Sequence, residues 1–340
     1  MSDISDIMDE EFSPDDEYLP GNIFAKEQAL AIIGAPGIGK SLLLLQMAVC
    51  FLTGRPFLGW PIKKHEFSWL IFQTENNRRR LQNTLKAYKQ WLSADEWKVI
   101  EERLLMPKLV EGFNSSFYLS DEENKRILRQ MITPAQSGVI AFDPLARFRV
   151  GNLSTSDGMD ATFNAFAELA NCGMEGCSLI ILHHALRGME GIKRGFGFNR
   201  GSFGRDSGAL VGCVRGQINL LPRDEEDNTK LAVICGKGNN GEEFKAFGIK
   251  LNRDTMIYEV DPSFDYQAFK ATVAGEPVTH QKLTPKDVAL LVTDIPLTKK
   301  DLVSSIMEER GCQKSNAYKA ILTAEGVSIK RNEHGLYIPI

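Results

Sequence analysis

Apolar residues in this chain gather into short unbroken runs, each ending at a glycine-rich or polar stretch and followed by a longer, helix-like pattern. The runs are Ala29–Ile33, Phe67–Phe72, Val139–Phe142, Ser178–Leu182 and Leu231–Cys235. Runs of this length bounded by turn residues read as buried strands. Helical patterns fill the gaps: Leu42 to Thr53, closed by Gly54-Arg55-Pro56, then Arg78–Leu92, Asp121–Met131 and Asp157–Cys172. Residues 93–120 read as a helix, a short strand over Leu104–Leu109 and a loop. Beyond residue 205 the pattern predicts a helix over 206–214, a strand over Gln217–Leu221 and a polar turn at Arg223–Asn228. A closing antiparallel hairpin follows, Phe247–Leu251 with Met256–Val260. Strands alternating with helices predict an α/β domain on a mostly parallel central sheet, over residues 21–261.

The flanks have a different character. Residues 1–20 carry Asp3, Asp6, Asp9, Glu10, Glu11, Asp15, Asp16 and Glu17 before any lysine or arginine, and read as an acidic flexible tail. Residues 262–282, with Pro262, Gly275 and Pro277, read as a linker. Helical patterns over Pro285–Thr293, Lys299–Arg310 and Lys314–Glu325, then Val327–Arg331 and Leu336–Ile338 around a turn, give three helices and a hairpin. That is the order of a winged helix-turn-helix at 283–340. Lys314 and Lys319 fall on its recognition helix, and Lys330 and Arg331 on its wing. Nine Lys/Arg against seven Asp/Glu from Lys282 onward leave duplex DNA and a protein partner, such as a replication protein, as competing occupants.

Charge and cysteine content narrow the class. A net charge of −4 argues against binding nucleic acid over the whole surface, so any such surface is local. The six cysteines are scattered, with Cys172 and Cys177 too isolated for a zinc site, and read as buried thiols of a reducing cytoplasm. The longest apolar run, Leu42–Leu52, is broken by Gln46 and too short to span a membrane.

The candidate chemistry lies at the ends of the strands. Gly34-Ala35-Pro36-Gly37-Ile38-Gly39-Lys40-Ser41, between a strand and the helix that starts at Leu42, has the spacing of a P-loop. Its glycines let consecutive N–H groups face phosphate oxygens at a helix N-terminus. Lys40 would reach the β- and γ-phosphates of ATP, and Ser41 would hold Mg2+. Glu75 follows the second strand, where a carboxylate can orient and polarise water. Asp143 ends Val139–Phe142 and would share the Mg2+ with Ser41. His183-His184 ends the next strand, beside the expected γ-phosphate. Residues 185–208 then combine Arg187, Lys193, Arg194, Arg200 and Arg205 with seven glycines and with Phe196, Phe198 and Phe203. A basic, glycine-rich stretch interleaved with aromatics suits sequence-tolerant contact with single-stranded DNA.

With GAPGIGKS, LIFQTEN, VIAFDP, LIILHHALRG and GRDSGALVGCVRG in this order, residues 20–260 resemble the RepA-type plasmid replicative hexameric helicases of the RecA/DnaB superfamily. The resemblance implies a RecA-like ATPase core. It implies Lys40 on phosphate, Glu75 as the residue that activates water, Asp143 on the metal and His184 as the sensor. It also implies an arginine acting on a neighbouring subunit's nucleotide, matched by Arg205 and next by Arg215. Lys237, in Lys237-Gly238-Asn239-Asn240-Gly241, matches the lysine of a segment that reaches the same neighbouring site, though Asn239 stands where the family has arginine. The expected activity is ATP-driven translocation or unwinding on single-stranded DNA, in a ring of identical subunits. The alternatives are an ATP-gated replication initiator and a RecA-like recombination ATPase. A small-molecule kinase fits the basic segment least.

Overall fold

The unbroken apolar run Ala29–Gly34 forms a strand covered on both faces, and this strand is the middle one of the nine in the main sheet. The computed structural model describes the chain except residues 1–3, 5–7, 9–12, 76, 110–115, 187, 206, 225–226, 240, 275–283, 293–295 and 311–313. At 189–190, 207, 287, 308–310 and 314–316 it describes backbone only. The described residues form two compact units, Met1–Phe264 and Asp265–Ile340.

In the first unit a small antiparallel pair, β1 (Glu17–Leu19) and β2 (Phe24–Ala25), precedes β3 (Ala29–Gly34) and helix α1 (Lys40–Thr53). Then come β4 (Ser68–Gln73), α2 (Arg78–Trp91), α3 (Ala94–Arg103), β5 (Leu104–Leu105), α4 (Glu122–Ala135), β6 (Ser137–Asp143) and α5 (Ser156–Ala170). The chain continues through β7 (Ser178–His184), α6 (Gly188–Arg194), α7 (Ser207–Cys213), β8 (Gly216–Pro222), β9 (Lys230–Gly238), β10 (Phe247–Asn252) and β11 (Ile257–Asp261). The strands make one nine-stranded sheet in the order β11-β10-β9-β8-β3-β7-β6-β4-β5. From β8 to β5 every pairing is parallel, and β8 to β11 form an antiparallel extension. This is the α/β class with a mostly parallel central sheet that the sequence predicts.

Helix α1 is buried on every side from Leu42 to Leu52, which explains its unbroken apolar sequence. Gly54 closes it with a left-handed φ of 77°. Helix α3 starts with a capping box of Ser93 and Glu96, and Glu96 also receives Arg55 in two hydrogen bonds of 2.7 and 2.9 Å. The Arg55 bond is the main reason the Glu96 carboxyl falls to about 2.

Several expectations change in detail. The strand expected over Leu104–Leu109 is confined to Leu104–Leu105 at the sheet edge. The stretch 185–208, expected as a glycine-rich flexible loop, is largely built: α6 fills its first part and a 3-10 turn covers Arg200–Phe203. Two of its glycines serve close packing, while Gly188 and Gly197 take a left-handed φ of 77°. A Cβ on Gly195 would meet the Leu221 side chain at 2.5 Å, and one on Gly191 would meet the Leu186 carbonyl oxygen at 2.2 Å. Phe203 is buried, whereas Phe198 is fully exposed. Cys50 and Cys235 are buried, but Cys172, Cys177 and Cys213 are half-buried, because each sits at an element end rather than inside one.

The second unit holds α8 (Tyr266–Ala274), inside the stretch expected as a linker, then α9 (Pro285–Leu290), α10 (Lys299–Arg310) and α11 (Lys314–Ala324). The hairpin β12 (Ile329–Arg331) with β13 (Tyr337–Pro339) ends it. Its own core gathers Val288, Leu302, Ile306, Ile321, Ile329 and Tyr337. Leu297 pairs with Tyr337 as an isolated bridge.

Candidate active site

The C-terminal ends of β3, β4, β6 and β7 lie side by side, so the motifs they carry converge although they are spread over 150 residues of sequence. Gly37 and Gly39 take φ of 77° and 104°, a region that favours glycine, and bend the loop around the N-terminus of α1. A cleft of about 110 Å3 opens there, lined by Gly39, Lys40, Ser41, Glu75, Asp143 and His184 among others. Leu42 and Gly37 also line it. Gly34, Ala35, Pro36 and Ile38 shape the loop behind, where Ile38 is buried and its N–H donates to the Ala35 carbonyl at 3.3 Å.

Lys40 is 6 % exposed and donates to the carbonyls of Gly34 at 2.8 Å and Ala35 at 3.0 Å. Burial lowers its ammonium to about 8, with Asp143 and Glu75 pulling the other way. Asp143 is 3 % exposed, and burial raises its carboxyl, opposed by hydrogen bonds from Ser41 and Gln73 and by Lys40. The Gln73 amide donates to Asp143 at 2.7 Å. A carboxylate withdrawn from water beside a hydroxyl at a helix N-terminus suits Mg2+, which takes few protein ligands and completes its shell with water and phosphate oxygens. The residues present therefore fit Mg2+ at Ser41 and Asp143.

His184 joins the parts. Its Nδ1 lies 3.3 Å from the Lys40 ammonium and its Nε2 lies 3.9 Å from Glu75. With Nδ1 accepting from Lys40, Nε2 carries the proton that faces Glu75. Glu75, exposed at the cleft mouth, also pairs with Arg147 at 3.3 Å. The imidazole of His183 is buried and contacts the Arg205 carbonyl oxygen, while the Arg205 N–H donates to the His184 carbonyl at 2.8 Å.

The other expected site residues are more scattered. Arg205 and Arg215 are exposed and do not line this cleft. Lys237 donates to the carbonyls of Val211 and Val214 at the end of α7, the latter at 2.8 Å. This intrachain cap was not legible in the sequence. Lys193 and Arg194 are exposed at the end of α6, but Arg200 is paired with Glu243 and is not a free cation on that surface. Arg187 lies outside the described residues, and Lys314 is described by its backbone alone. Lys319 and Lys330 are exposed, whereas Arg331 pairs with Glu325 at 3.0 Å and donates to the Tyr337 hydroxyl at 2.9 Å.

Sequence reasoning missed four supports. Gln73 carries Asp143, and Arg147 carries Glu75. Gln46 and Tyr258 exchange two hydrogen bonds, at 2.9 and 2.8 Å, which tie α1 to β11. The Tyr258 hydroxyl then contacts the Ile38 carbonyl at 3.4 Å, beneath the phosphate loop. Only Gln46 left a signal, as the single polar residue within Leu42–Leu52.

A family model described as an AAA domain matches residues 2–188, more than half of the chain. No curated protein matches it in sequence. Among solved structures, a KaiC-like protein from the hyperthermophilic archaeon Pyrococcus horikoshii OT3 is similar at 14 % identity. That match covers 72 % of this chain and 97 % of the other, with a TM-score of 0.46. A second solved structure, an ATPase domain, is similar at 12 % identity, covering 69 % of this chain and 85 % of the other, with a TM-score of 0.47. The match spans more than half of the chain, so with its glycine-rich loop opening the cleft that Lys40 lines, this chain belongs to the AAA domain family and is a P-loop ATPase.

Proposed function

We propose that this ATPase is a motor on single-stranded DNA, working as a ring of identical subunits of the replicative-helicase type. The observation that carries the reading is the stem of the basic segment. Ala185 pairs with Gly204, and the Arg205 backbone is tied to both His183 and His184. His184 in turn touches Lys40 and stands near Glu75. A change at the γ-phosphate therefore acts on the base of the segment that presents Lys193, Arg194 and the fully exposed Phe198. Buried Asn219 and Gln217 on β8 hold the Arg200 carbonyl at 2.8 and 3.2 Å, so the segment moves as a body rather than as a slack loop.

The chain's own residues divide the work. The loop N–H groups and Lys40 bind and orient the phosphates. Glu75 orients water, and Arg147 and His184 hold its carboxylate in place. Mg2+, when bound, neutralises phosphate charge. Arg205, exposed and outside its own cleft, is the residue offered to a neighbour's nucleotide, with Arg215 as second choice. Lys237 would first have to leave the carbonyls of α7. Phe198 stacks on bases while Lys193 and Arg194 meet phosphates. The second unit serves as a winged-helix-like module, with Lys319 and Lys330 facing duplex DNA or a replication partner.

ATP hydrolysis with and without single-stranded DNA tests this. Strong stimulation is expected, abolished by Lys40→Ala together with nucleotide binding. Arg205→Ala keeps nucleotide binding and loses turnover by about 10³-fold or more, the scale of a trans arginine in phosphoryl transfer. Hydrolysis indifferent to single-stranded DNA would overturn the motor, and wild-type turnover by Arg205→Ala would overturn the trans role.

A further inference from the structure

Glu75 stands between the end of β4 at Gln73 and the start of α2 at Arg78, outside both elements. Its side chain is 41 % exposed. A glutamate so placed must give up rotamer freedom each time it orients a water, unless a neighbour holds it. Among the described residues one side chain comes within hydrogen-bond reach: the Arg147 Nε donates to Glu75 at 3.3 Å. His184 stays at 3.9 Å, too far for a hydrogen bond.

Arg147 is placed by β6, the strand that carries Asp143. The 3-10 turn Leu145–Arg147 follows that strand after Pro144, and the Arg147 N–H donates to the Pro144 carbonyl at 3.0 Å. The Arg147 carbonyl accepts from the Phe117 N–H at 2.9 Å, and the Arg149 carbonyl from the Leu119 N–H at 3.1 Å. Residues 116–119 therefore run as a strap beside 147–149. From the strap, the Ser116 hydroxyl accepts from the Arg147 Nη1 at 3.3 Å, and the Arg149 guanidinium lies 4.9 Å over the Tyr118 ring. The Arg147 guanidinium is thus held at both ends, Nε on Glu75 and Nη1 on Ser116.

β4 and β6 are parallel neighbours, with Gln73 opposite Asp143 in the register. The Gln73 amide bridges them at 2.7 Å, and Arg147 to Glu75 is a second bridge between the same strand ends, one step farther out. The first bridge sets the metal-site carboxylate and the second the water-orienting one. Arg147 does not line the cleft, so it acts through Glu75.

We propose that Arg147 is a positioning residue for hydrolysis, holding the Glu75 carboxylate in register with Asp143, and that Ser116 on the strap sets its reach. No motif marks the strap in the sequence. The inference rests on the water-orienting role of Glu75 proposed above.

Turnover and nucleotide affinity of the full chain test it, with Glu75→Gln as the reference that loses turnover and keeps nucleotide. Arg147→Ala should lose about tenfold to a hundredfold in kcat, the scale of a misplaced reacting group, with nucleotide affinity unchanged. Arg147→Lys keeps the charge but lacks the fork that reaches Glu75 and Ser116 together, so it should recover only part of the loss. Ser116→Ala leaves the backbone pairing of the strap in place and should lower kcat by about two- to fivefold, the worth of one hydrogen bond. The decisive reading is the double variant: Arg147→Ala added to Glu75→Gln should cost nothing more, because the arginine acts only through that carboxylate. Additive losses in the double variant would overturn the proposal. So would wild-type kcat in Arg147→Ala, or a fall in nucleotide affinity as large as the fall in turnover. Wild-type kcat in Ser116→Ala would remove the strap from it. Wild-type turnover by Glu75→Gln would instead sink the role of Glu75 beneath it.

Discussion

Lys40 has to be cationic to hold phosphate, yet the fold removes it from water and lowers its ammonium to about 8. In the absence of nucleotide the charge is lost as pH rises through that value. Bound phosphate favours the charged form, so binding at a pH of about 9 should draw a proton from solution. Calorimetry in buffers of different ionisation enthalpy would show this uptake, and Lys40→Met should abolish it. His65 has the opposite role and never needs its charge. It is buried against Tyr18, Phe51 and Phe67, accepts from the Trp69 indole at 3.3 Å, and burial lowers it to about 3. The unfolded imidazole takes up a proton below its ordinary value of 6.5 while the folded one does not. Its stabilising contribution is therefore complete above that pH. Stability falls by up to about 1.4 kcal/mol per unit as pH drops toward 3. Urea midpoints against pH should show this slope in the wild type and a shallower one in His65→Phe.

At the scale of elements, the antiparallel extension of the sheet supports the phosphate loop from below. β11 places the Tyr258 hydroxyl where a Cβ on Gly39 would lie 2.0 Å away. Gly39→Ala therefore meets both a left-handed φ, worth roughly 1–2 kcal/mol, and a collision. Nucleotide affinity should drop by at least tenfold. Tyr258→Phe removes the colliding oxygen and should recover part of that loss in the double variant. A fluorescent nucleotide titration reads both, and no recovery would mean that the hydroxyl does not set the loop's position. The basic segment follows the same logic. Gln217 and Asn219 are polar residues in an otherwise apolar buried strand, and they are there to hold the carbonyls of Gly195 and Arg200. Their replacement by leucine would leave those carbonyls unpaired, at about 1–3 kcal/mol each.

At the scale of the whole molecule, the ATPase cleft holds Lys40, Glu75, Asp143 and His184 but no arginine from the 205–215 stretch. If Arg205 acts in trans, turnover per subunit must rise with protein concentration until assembly saturates. Mixing Lys40→Ala with Arg205→Ala should restore part of the activity, because some interfaces then pair an intact loop with an intact arginine. Activity independent of concentration, with no complementation, would confine catalysis to the single chain.

Short-range pattern was enough to locate the phosphate loop, the strand-end carboxylates and most strands and helices, because burial imposes periods that any single sequence shows. Glu75, Asp143 and His184 were legible for the same reason: each ends an apolar run, and the ends of parallel strands meet at one edge. The tertiary structure alone decided which cations remain available. Arg200, Lys237 and Arg331 look like ligand-binding residues in sequence, and each is engaged by a group far away in the chain or across a turn. It also built a glycine-rich stretch into a helix and a 3-10 turn, since a glycine chosen for close approach, as at Gly191 and Gly195, and one chosen for freedom are the same letter. The supports at Gln46, Gln73, Arg147 and Tyr258 were hidden for a related reason. Their partners lie between 70 and 212 residues away, and hydrogen bonds at that separation leave no periodicity along the chain.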